Sequence, residues 1–167
     1  MHKRLASVLR VLSIVFLVVI GAKNVQAKDL TNRLGVGVKS HETLDLPELA
    51  VVYNPTNEIS VVGGLGIDTK EDESKFAANA GIRRIIFKED NMNFYMGGTF
   101  GFVNYETKAD KQSGIELDAL FGVEFFFTGL ESLGFTIEGG AGVISTSNVR
   151  FRTIADSPFR AGIIFYF

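Results

Sequence analysis

The side chains best suited to acid–base chemistry lie around His41, with Ser40, Glu42 and Asp45 beside it. A hydrolase or an acyltransferase generally needs a nucleophile with a base held next to it. Neighbours along one loop do not supply the fixed geometry of a triad, whose members come from separate elements. We therefore expect His41 to be a solvated loop residue rather than a catalytic base.

Glu116 and Asp118 form a second candidate, because residues two apart on a strand face the same side. Such a pair could act as the two acids of a glycosidase or could bind calcium. We expect these carboxylates instead to be hydrated at the rim of the structure.

The remaining motifs offer little chemistry. Gly63-Gly64-Leu65-Gly66 is only superficially like a nucleotide-binding loop, because the strand, helix and lysine context of such a loop is missing. The chain has no Cys, which excludes a disulfide framework and thiolate metal sites. We therefore expect no enzymatic activity, no metal and no cofactor.

Composition limits the class of protein. The chain has 167 residues, 46% of them apolar, with 18 Gly and three Pro, which fits one domain and excludes collagen and coiled coil. The first 27 residues hold four of the 17 Lys and Arg and none of the 19 acidic residues, so the remainder has a net charge of about −6. This acidic balance argues against a nucleic-acid partner.

Residues 1–27 have the parts of a secretory signal peptide: a charged start at Lys3, an apolar stretch over Val11–Ile20 and small residues before Ala27. The apolar stretch is too short for a membrane-spanning helix, which needs roughly 20 such residues. We therefore expect cleavage after Ala27, export of the protein and one domain over residues 28–167.

The strongest signal in that domain is alternation. Every odd position from Ile115 to Phe127 is apolar, and the same period recurs over residues 133–143 and 159–167. Successive strand residues face opposite sides of a sheet. Each of these segments therefore predicts a strand with one apolar face.

Turn residues divide the domain into eight such segments, at about residues 33–39, 48–54, 57–68, 75–88, 92–105, 114–128, 132–144 and 158–167. Tight turns alternate with longer polar loops, which are residues 40–47, 69–74, 106–113 and 145–157. Short links on one side and long loops on the other are typical of an up-and-down barrel. The prediction is an all-β, eight-stranded antiparallel transmembrane barrel preceded by a signal helix.

The apolar face is predicted to point outwards into a bilayer. The polar positions are mostly Gly with isolated charges, whereas a solvated exterior would be rich in Lys and Glu. Two bands of aromatic residues match the headgroup levels of a membrane. The band near the short turns comprises Tyr53, Phe87, Phe94, Phe125, Phe127, Phe135, Phe165 and Phe167, and the other comprises Phe76, Phe102, Tyr105 and Phe159. A soluble secreted barrel with an apolar ligand inside remains the alternative.

The last segment ends on Phe165-Tyr166-Phe167, with apolar residues at every second position back to Phe159. This ending resembles the aromatic-x-Phe terminal strand of bacterial outer-membrane barrels. Residues 28–167 resemble, by pattern rather than by fixed residues, the small eight-stranded class that includes outer membrane protein A transmembrane domains and the opacity-type and X-type barrels. The resemblance implies a Gram-negative outer-membrane location, recognition of the ending by the barrel-assembly machinery, and contact with lipid including lipopolysaccharide.

Inward-facing charges are predicted to fill the lumen. Counted from the short turns, four of them fall near one level, and these are Arg83, Glu124, Glu138 and Arg160. We expect them to form a network that closes the interior, with Arg33 and Glu58 at the periplasmic mouth. Buried charge must be paired to be tolerable. Solvated charges around a wet channel are the alternative, although eight strands leave barely enough space for side chains.

Arg84 departs from the pattern, because strict alternation places it on the apolar face. Either its stem reaches the headgroups or a bulge near Gly81 turns it inwards. Both possibilities remain open from the sequence.

The last long loop contains Arg150 and Arg152, which could hold lipid phosphates or a surface ligand, or could be plainly solvated. All four long loops are candidates for extracellular contact. The sequence favours a non-enzymatic protein with a structural or surface-interaction role. A narrow passive pore is the second hypothesis, and a lipid-modifying enzyme is the third.

Overall fold

A computed structural model describes residues 29–41, 44–71, 73–153 and 160–167. The predicted signal peptide, Glu42 and Phe159 lie outside the described residues. Within the described parts, the chain forms nine strands and no helix. The strands are β1 (Leu34–Ser40), β2 (Pro47–Tyr53), β3 (Ile59–Lys70), β4 (Glu73–Glu89), β5 (Met92–Thr107), β6 (Lys111–Phe126), β7 (Leu133–Ser145), β8 (Val149–Thr153) and β9 (Arg160–Tyr166).

The nine strands make an eight-stranded barrel because β8 and β9 share one position in the wall. Both pair antiparallel with β7, β8 from Ala141 to Ser145 and β9 from Leu133 to Glu138. Neighbours from β1 to β7 pair antiparallel in chain order, and β9 pairs with β1 to close the sheet. The predicted all-β, eight-stranded antiparallel barrel is thus confirmed, with its eighth strand divided in two.

Alternation along each strand separates the two faces of the wall. On β6, Leu117 and Phe121 are exposed outside, while Glu116, Asp118 and Leu120 are buried inside. Because β9 pairs with both β7 and β1, the sheet is closed and its polar face can turn into the lumen.

A bulge in β4 lies further along the strand than the sequence suggested. The β4–β5 pairing is regular from Glu73 to Ile85, and its register shifts between Ile85 and Phe87. The alternative of a bulge near Gly81 is therefore wrong. Arg84 lies on the outer face, where it is exposed and pairs with Ile59 and Met96.

Two clusters of buried apolar residues lie towards the two ends of the lumen. At the short-turn end, Leu30 inserts into the barrel against a core cluster whose other members are Ala50, Val52, Val62, Phe126, Ile164 and Tyr166. Backbone hydrogen bonds from Asn32 to Asn54 and from Arg33 to Leu30 fix the turn that carries Leu30. At the long-loop end, Leu46 packs against Ala77 and Val103. The polar interior lies between these two layers.

Candidate functional site: the charged lumen

The lumen holds an unusual density of buried charge. Among the described residues, the buried Lys, Arg, His, Asp and Glu side chains are Lys39, His41, Glu48, Arg83, Glu116, Asp118, Glu124, Glu138 and Arg160. Three are Lys or Arg and five are carboxylates, so neutral donors must supplement the cations. The strands supply these side chains from their inward positions, where glycines on neighbouring strands leave room for them.

Glu138 on β7 is the centre of this network. Its Oε1 contacts Nη2 of Arg83, and its Oε2 lies 3.3 Å from Nη2 of Arg160 and 3.9 Å from Nζ of Lys39. The phenolic hydroxyl of Tyr95 donates a hydrogen bond of 2.6 Å to Oε1. One carboxylate thereby joins side chains from β1, β4, β5 and β9 across the barrel.

The ring of Tyr95 also stacks against the guanidinium group of Arg83. The guanidinium carbon of Arg83 lies 4.6 Å from the centroid of the Tyr95 ring. A guanidinium over an aromatic face is stabilised by the ring quadrupole, more so when both groups are desolvated. Arg83 is therefore held both by the carboxylate of Glu138 and by the ring.

Glu124, the remaining predicted member, is joined through a tyrosine. The hydroxyl of Tyr166 donates a hydrogen bond of 2.6 Å to Oε1 of Glu124. The structure thus brings Arg83, Glu138 and Arg160 into direct ion pairs and attaches Glu124 to β9. Both tyrosines were missed by sequence reasoning, although the inward position of Tyr166 in the alternation was a usable signal.

A second arm of the network runs from Lys39 into β2 and β4. Nζ of Lys39 lies 3.1 Å from Oε1 of Glu48, and Nδ2 of Asn79 donates a hydrogen bond of 2.9 Å to Oε2 of the same carboxylate. A Cβ on Gly64 would lie only 2.5 Å from Oε2 of Glu48. The glycine therefore provides the space that the carboxylate occupies.

His41 is buried, so the expectation of a solvated loop residue is wrong. Its Nε2 lies 3.0 Å from Oε1 of Glu116, and its Nδ1 accepts a hydrogen bond from the backbone N–H of Leu44 at 3.1 Å. The backbone N–H of His41 donates to the carbonyl of Leu46. These contacts hold His41 and Leu46 inside the barrel, on either side of the first long loop.

Glu116 and Asp118 are likewise inside the barrel rather than at a hydrated rim, with exposed fractions of 1% and 6%. Glu116 contacts His41, and Asp118 accepts a hydrogen bond from Oγ1 of Thr99 at 3.3 Å. That Glu116 and Asp118 share one face was predicted correctly, but their burial inside the lumen was not. In the part of the chain that the structure describes, no three His, Asp or Glu side chains are arranged to hold a metal ion.

The other predicted residues lie at the short-turn end. Arg33 is half-buried directly before β1, and Glu58 is exposed directly before β3. Phe165 and Phe167 point outwards with rings 6.4 Å apart, whereas Tyr166 between them is buried in the lumen. The sequence Phe165-Tyr166-Phe167 therefore contributes to both faces of the wall.

Aromatic rings form a cluster on the outer surface near the short turns. Phe135 lies 5.6 Å from Phe125 and 5.2 Å from Phe127, and Phe87 lies 5.8 Å from Phe94 between ring centroids. These distances are within the range of favourable aromatic pairs. The rings thereby form part of a band around this end of the barrel.

Arg150 and Arg152 line a cavity of about 330 Å³ at the long-loop end. They occupy the same face of β8, with Arg150 exposed and Arg152 half-buried. Val149 and Phe151, on the opposite face of that strand, are both exposed.

Comparison of the chain with protein-family models, with curated proteins and with solved structures finds no match. Within residues 29–41, 44–71, 73–153 and 160–167, no helix is long and apolar enough to cross a membrane.

Proposed function

We propose that this barrel is an outer-membrane protein of the Gram-negative type, non-enzymatic, with a structural or surface-interaction role and a plugged lumen. In this proposal, a cleaved signal exports the chain and the barrel-assembly machinery recognises Phe165-Tyr166-Phe167. Both ends of the barrel domain, which lie beside the short turns, then face the periplasm, and the four long loops face the outside of the cell.

The observation that carries the proposal is the inversion of polarity across the wall. Leu117, Phe121 and Ile163 are 62%, 58% and 49% exposed, whereas Glu138 and Glu124 inside are 2% and 6% exposed. Soluble monomers rarely expose apolar patches larger than a few hundred Å². A bilayer provides the apolar surroundings that such an exterior requires, and the aromatic band fits the headgroup level.

A plugged lumen is supported by the layers inside the barrel. Leu30 and its cluster close one end, Leu46 with Ala77 and Val103 closes the other, and the ion pairs around Glu138 lie between them. An ion that crossed this lumen would have to displace buried, mutually paired side chains. The cost of leaving a buried charge without its partner is typically about 3–5 kcal/mol.

An enzymatic role has less support. The one histidine of the described residues has both ring nitrogens engaged, with Glu116 and with the amide of Leu44. A general base needs a free nitrogen facing its nucleophile. Lipid analysis of a deletion strain tests this point, since an altered acyl or headgroup pattern would contradict the proposed non-enzymatic role.

Location is tested by fractionating cells that express the protein. We expect it in the outer-membrane fraction, resistant to extraction with urea, and shortened by the signal peptide. Recovery as a soluble periplasmic or secreted protein would contradict the membrane proposal and favour a ligand-carrying barrel.

Closure of the lumen is tested by planar-bilayer recording of the purified protein. We expect no steady conductance from the wild type. The double variant Arg83→Ala/Glu138→Ala removes both partners of the central ion pair and should introduce conducting events. The matched control Lys70→Ala/Glu89→Ala changes one exposed cation and one exposed carboxylate. A large, permanently open wild-type conductance would favour the passive pore instead.

A further inference from the structure

The cavity beside Arg150 and Arg152, called the mouth cavity below, has the form of a small-molecule site. Its volume of about 330 Å³ lies at the lower end of the range for ligand pockets. Leu44, Val103 and Ile144 provide an apolar floor. Leu44 and Ile144 of that floor also pack against the cluster of Leu46, Ala77 and Val103, so the cavity ends at this apolar layer.

The two charged residues that the described part of the chain contributes to the lining of the mouth cavity are both arginines. Arg150 and Arg152 line it, and the lining formed by the described residues includes no Asp or Glu. The chain as a whole is acidic, with a formal net charge of −2. The described lining of this cavity thus carries two positive charges, whereas the chain as a whole is negatively charged.

Neutral hydrogen-bonding groups surround the two arginines. Tyr105 and Gln112 line the cavity from β5 and β6, and Asn148 lines it from the turn before β8. Nζ of Lys75 lies 5.9 Å from the centroid of the Tyr105 ring and 3.2 Å from Oε1 of Glu73, so this cation is already compensated at the cavity edge.

The orientation of β8 explains why both arginines face the cavity. Arg150 pairs with Ile144 and Arg152 with Gly142 on β7, so the two share the inward face of the strand. Val149 and Phe151 take the outward face and are 74% and 71% exposed. The register of the β7–β8 pair thus determines that both arginines lie on the inward face of β8.

We propose that the mouth cavity binds a sugar carrying a phosphate ester. Guanidinium groups bind phosphate oxygens in bidentate fashion, which a compact ammonium cannot do. The amides of Gln112 and Asn148 and the hydroxyl of Tyr105 suit the hydroxyl groups of a sugar ring. The apolar floor suits the carbon face of the ring. The phosphate is held by Arg150 and Arg152 at the open side.

Two sources carry this chemistry: a free sugar phosphate and the phosphorylated headgroup of a glycolipid. Only the glycolipid source rests on the proposed outer-membrane location. Binding of a soluble sugar phosphate in detergent micelles does not depend on where the protein resides, so the two proposals fail separately.

The test is calorimetric titration of the full-length purified protein in detergent micelles. We expect saturable binding of glucose 6-phosphate and none of glucose at the same ionic strength. Arg150→Gln/Arg152→Gln should weaken binding by about tenfold or more, because charge-assisted bidentate hydrogen bonds are lost. Arg150→Lys/Arg152→Lys keeps the charge and should give a smaller loss. A parallel titration uses vesicles containing a phosphorylated glycolipid, before and after removal of its phosphate.

The matched control is Lys70→Gln/Lys108→Gln, which removes two exposed positive charges from the long-loop end without altering the cavity lining. Its affinity should stay within about twofold of the wild type, as for exposed charges screened by salt. Phosphate-dependent binding in either titration supports the proposal and identifies the source. Failure of both ligands to bind, or equal weakening by the control, would overturn it.

Discussion

Tyr166 and Glu124 connect two strands that are not neighbours, since β7 separates β9 from β6 and the hydrogen bond of 2.6 Å crosses the lumen. Tyr166 also packs against Phe126 in the apolar layer at the short-turn end, with ring centroids 6.1 Å apart. The phenol therefore joins the apolar layer to the charged network above it.

Tyr166→Phe should destabilise the barrel by about 1–3 kcal/mol, because the carboxylate of Glu124 loses a buried donor while the ring keeps its packing. The measurement is urea unfolding of the protein in lipid vesicles. Tyr53→Phe, at an exposed ring of the outer face, is the control and should change stability little. Equal effects of the two variants would show that the hydrogen bond contributes nothing specific.

Glu138→Gln should cost about 3–5 kcal/mol, because Arg83, Arg160 and Lys39 then share one fewer negative charge in a buried site. Glu89→Gln, at the exposed last residue of β4, should be nearly neutral. Combining Glu138→Gln with Arg83→Gln should restore part of the loss, since neighbouring members of one network couple. Additive losses in the same unfolding assay would contradict the ion pair.

Gly64→Ala and Gly63→Ala differ by one position and should differ clearly in effect. The new Cβ at position 64 would lie 2.5 Å from Oε2 of Glu48 and force the carboxylate away from Lys39 and Asn79, at a cost of about 1–3 kcal/mol. At position 63 the nearest atom is the carbonyl oxygen of Asn79 at 3.5 Å, an ordinary contact. Thermal unfolding of both variants measures the difference, and equal midpoints would refute the role of Gly64.

Leu30→Ala should remove part of the layer that closes the short-turn end and destabilise the barrel by about 2–5 kcal/mol. Leu130→Ala provides the control, because Leu130 is 52% exposed in a turn at the same end. Bilayer recordings supply an independent measure, since Leu30→Ala should conduct more often than Leu130→Ala. A silent and fully stable Leu30→Ala barrel would show that Leu30 does not close the mouth.

The period-two pattern predicts much of the fold because it reports on each strand locally. It identified the β6 and β7 faces that carry Glu124 and Glu138, and the observed strand ends differ from the predicted ones by about three residues or fewer where the wall is continuous. Strand β8 was missed, because its five residues lie within the segment 145–157 that was predicted to be a long polar loop.

The missed parts of the lumen come from contacts that no local pattern encodes. The burial of His41 depends on Glu116, which is distant in sequence, and on a loop that has no period. Leu30 lies before the first strand, where alternation has not yet begun. The inward position of Lys39 could have been predicted, because this residue falls on the face of β1 opposite to Leu34, Val36 and Val38.

The β1–β9 pairing joins residues from opposite ends of the described chain, with Gly35 against Tyr166 and Val38 against Ile163. Contacts this distant in sequence form slowly, because the chain loses the entropy of loop closure before the new contacts stabilise it. Until they form, both edge strands present unpaired backbone groups to any other extended chain. Pairing of β1 with β9 therefore does more than complete the wall, because it removes both of these edges at once.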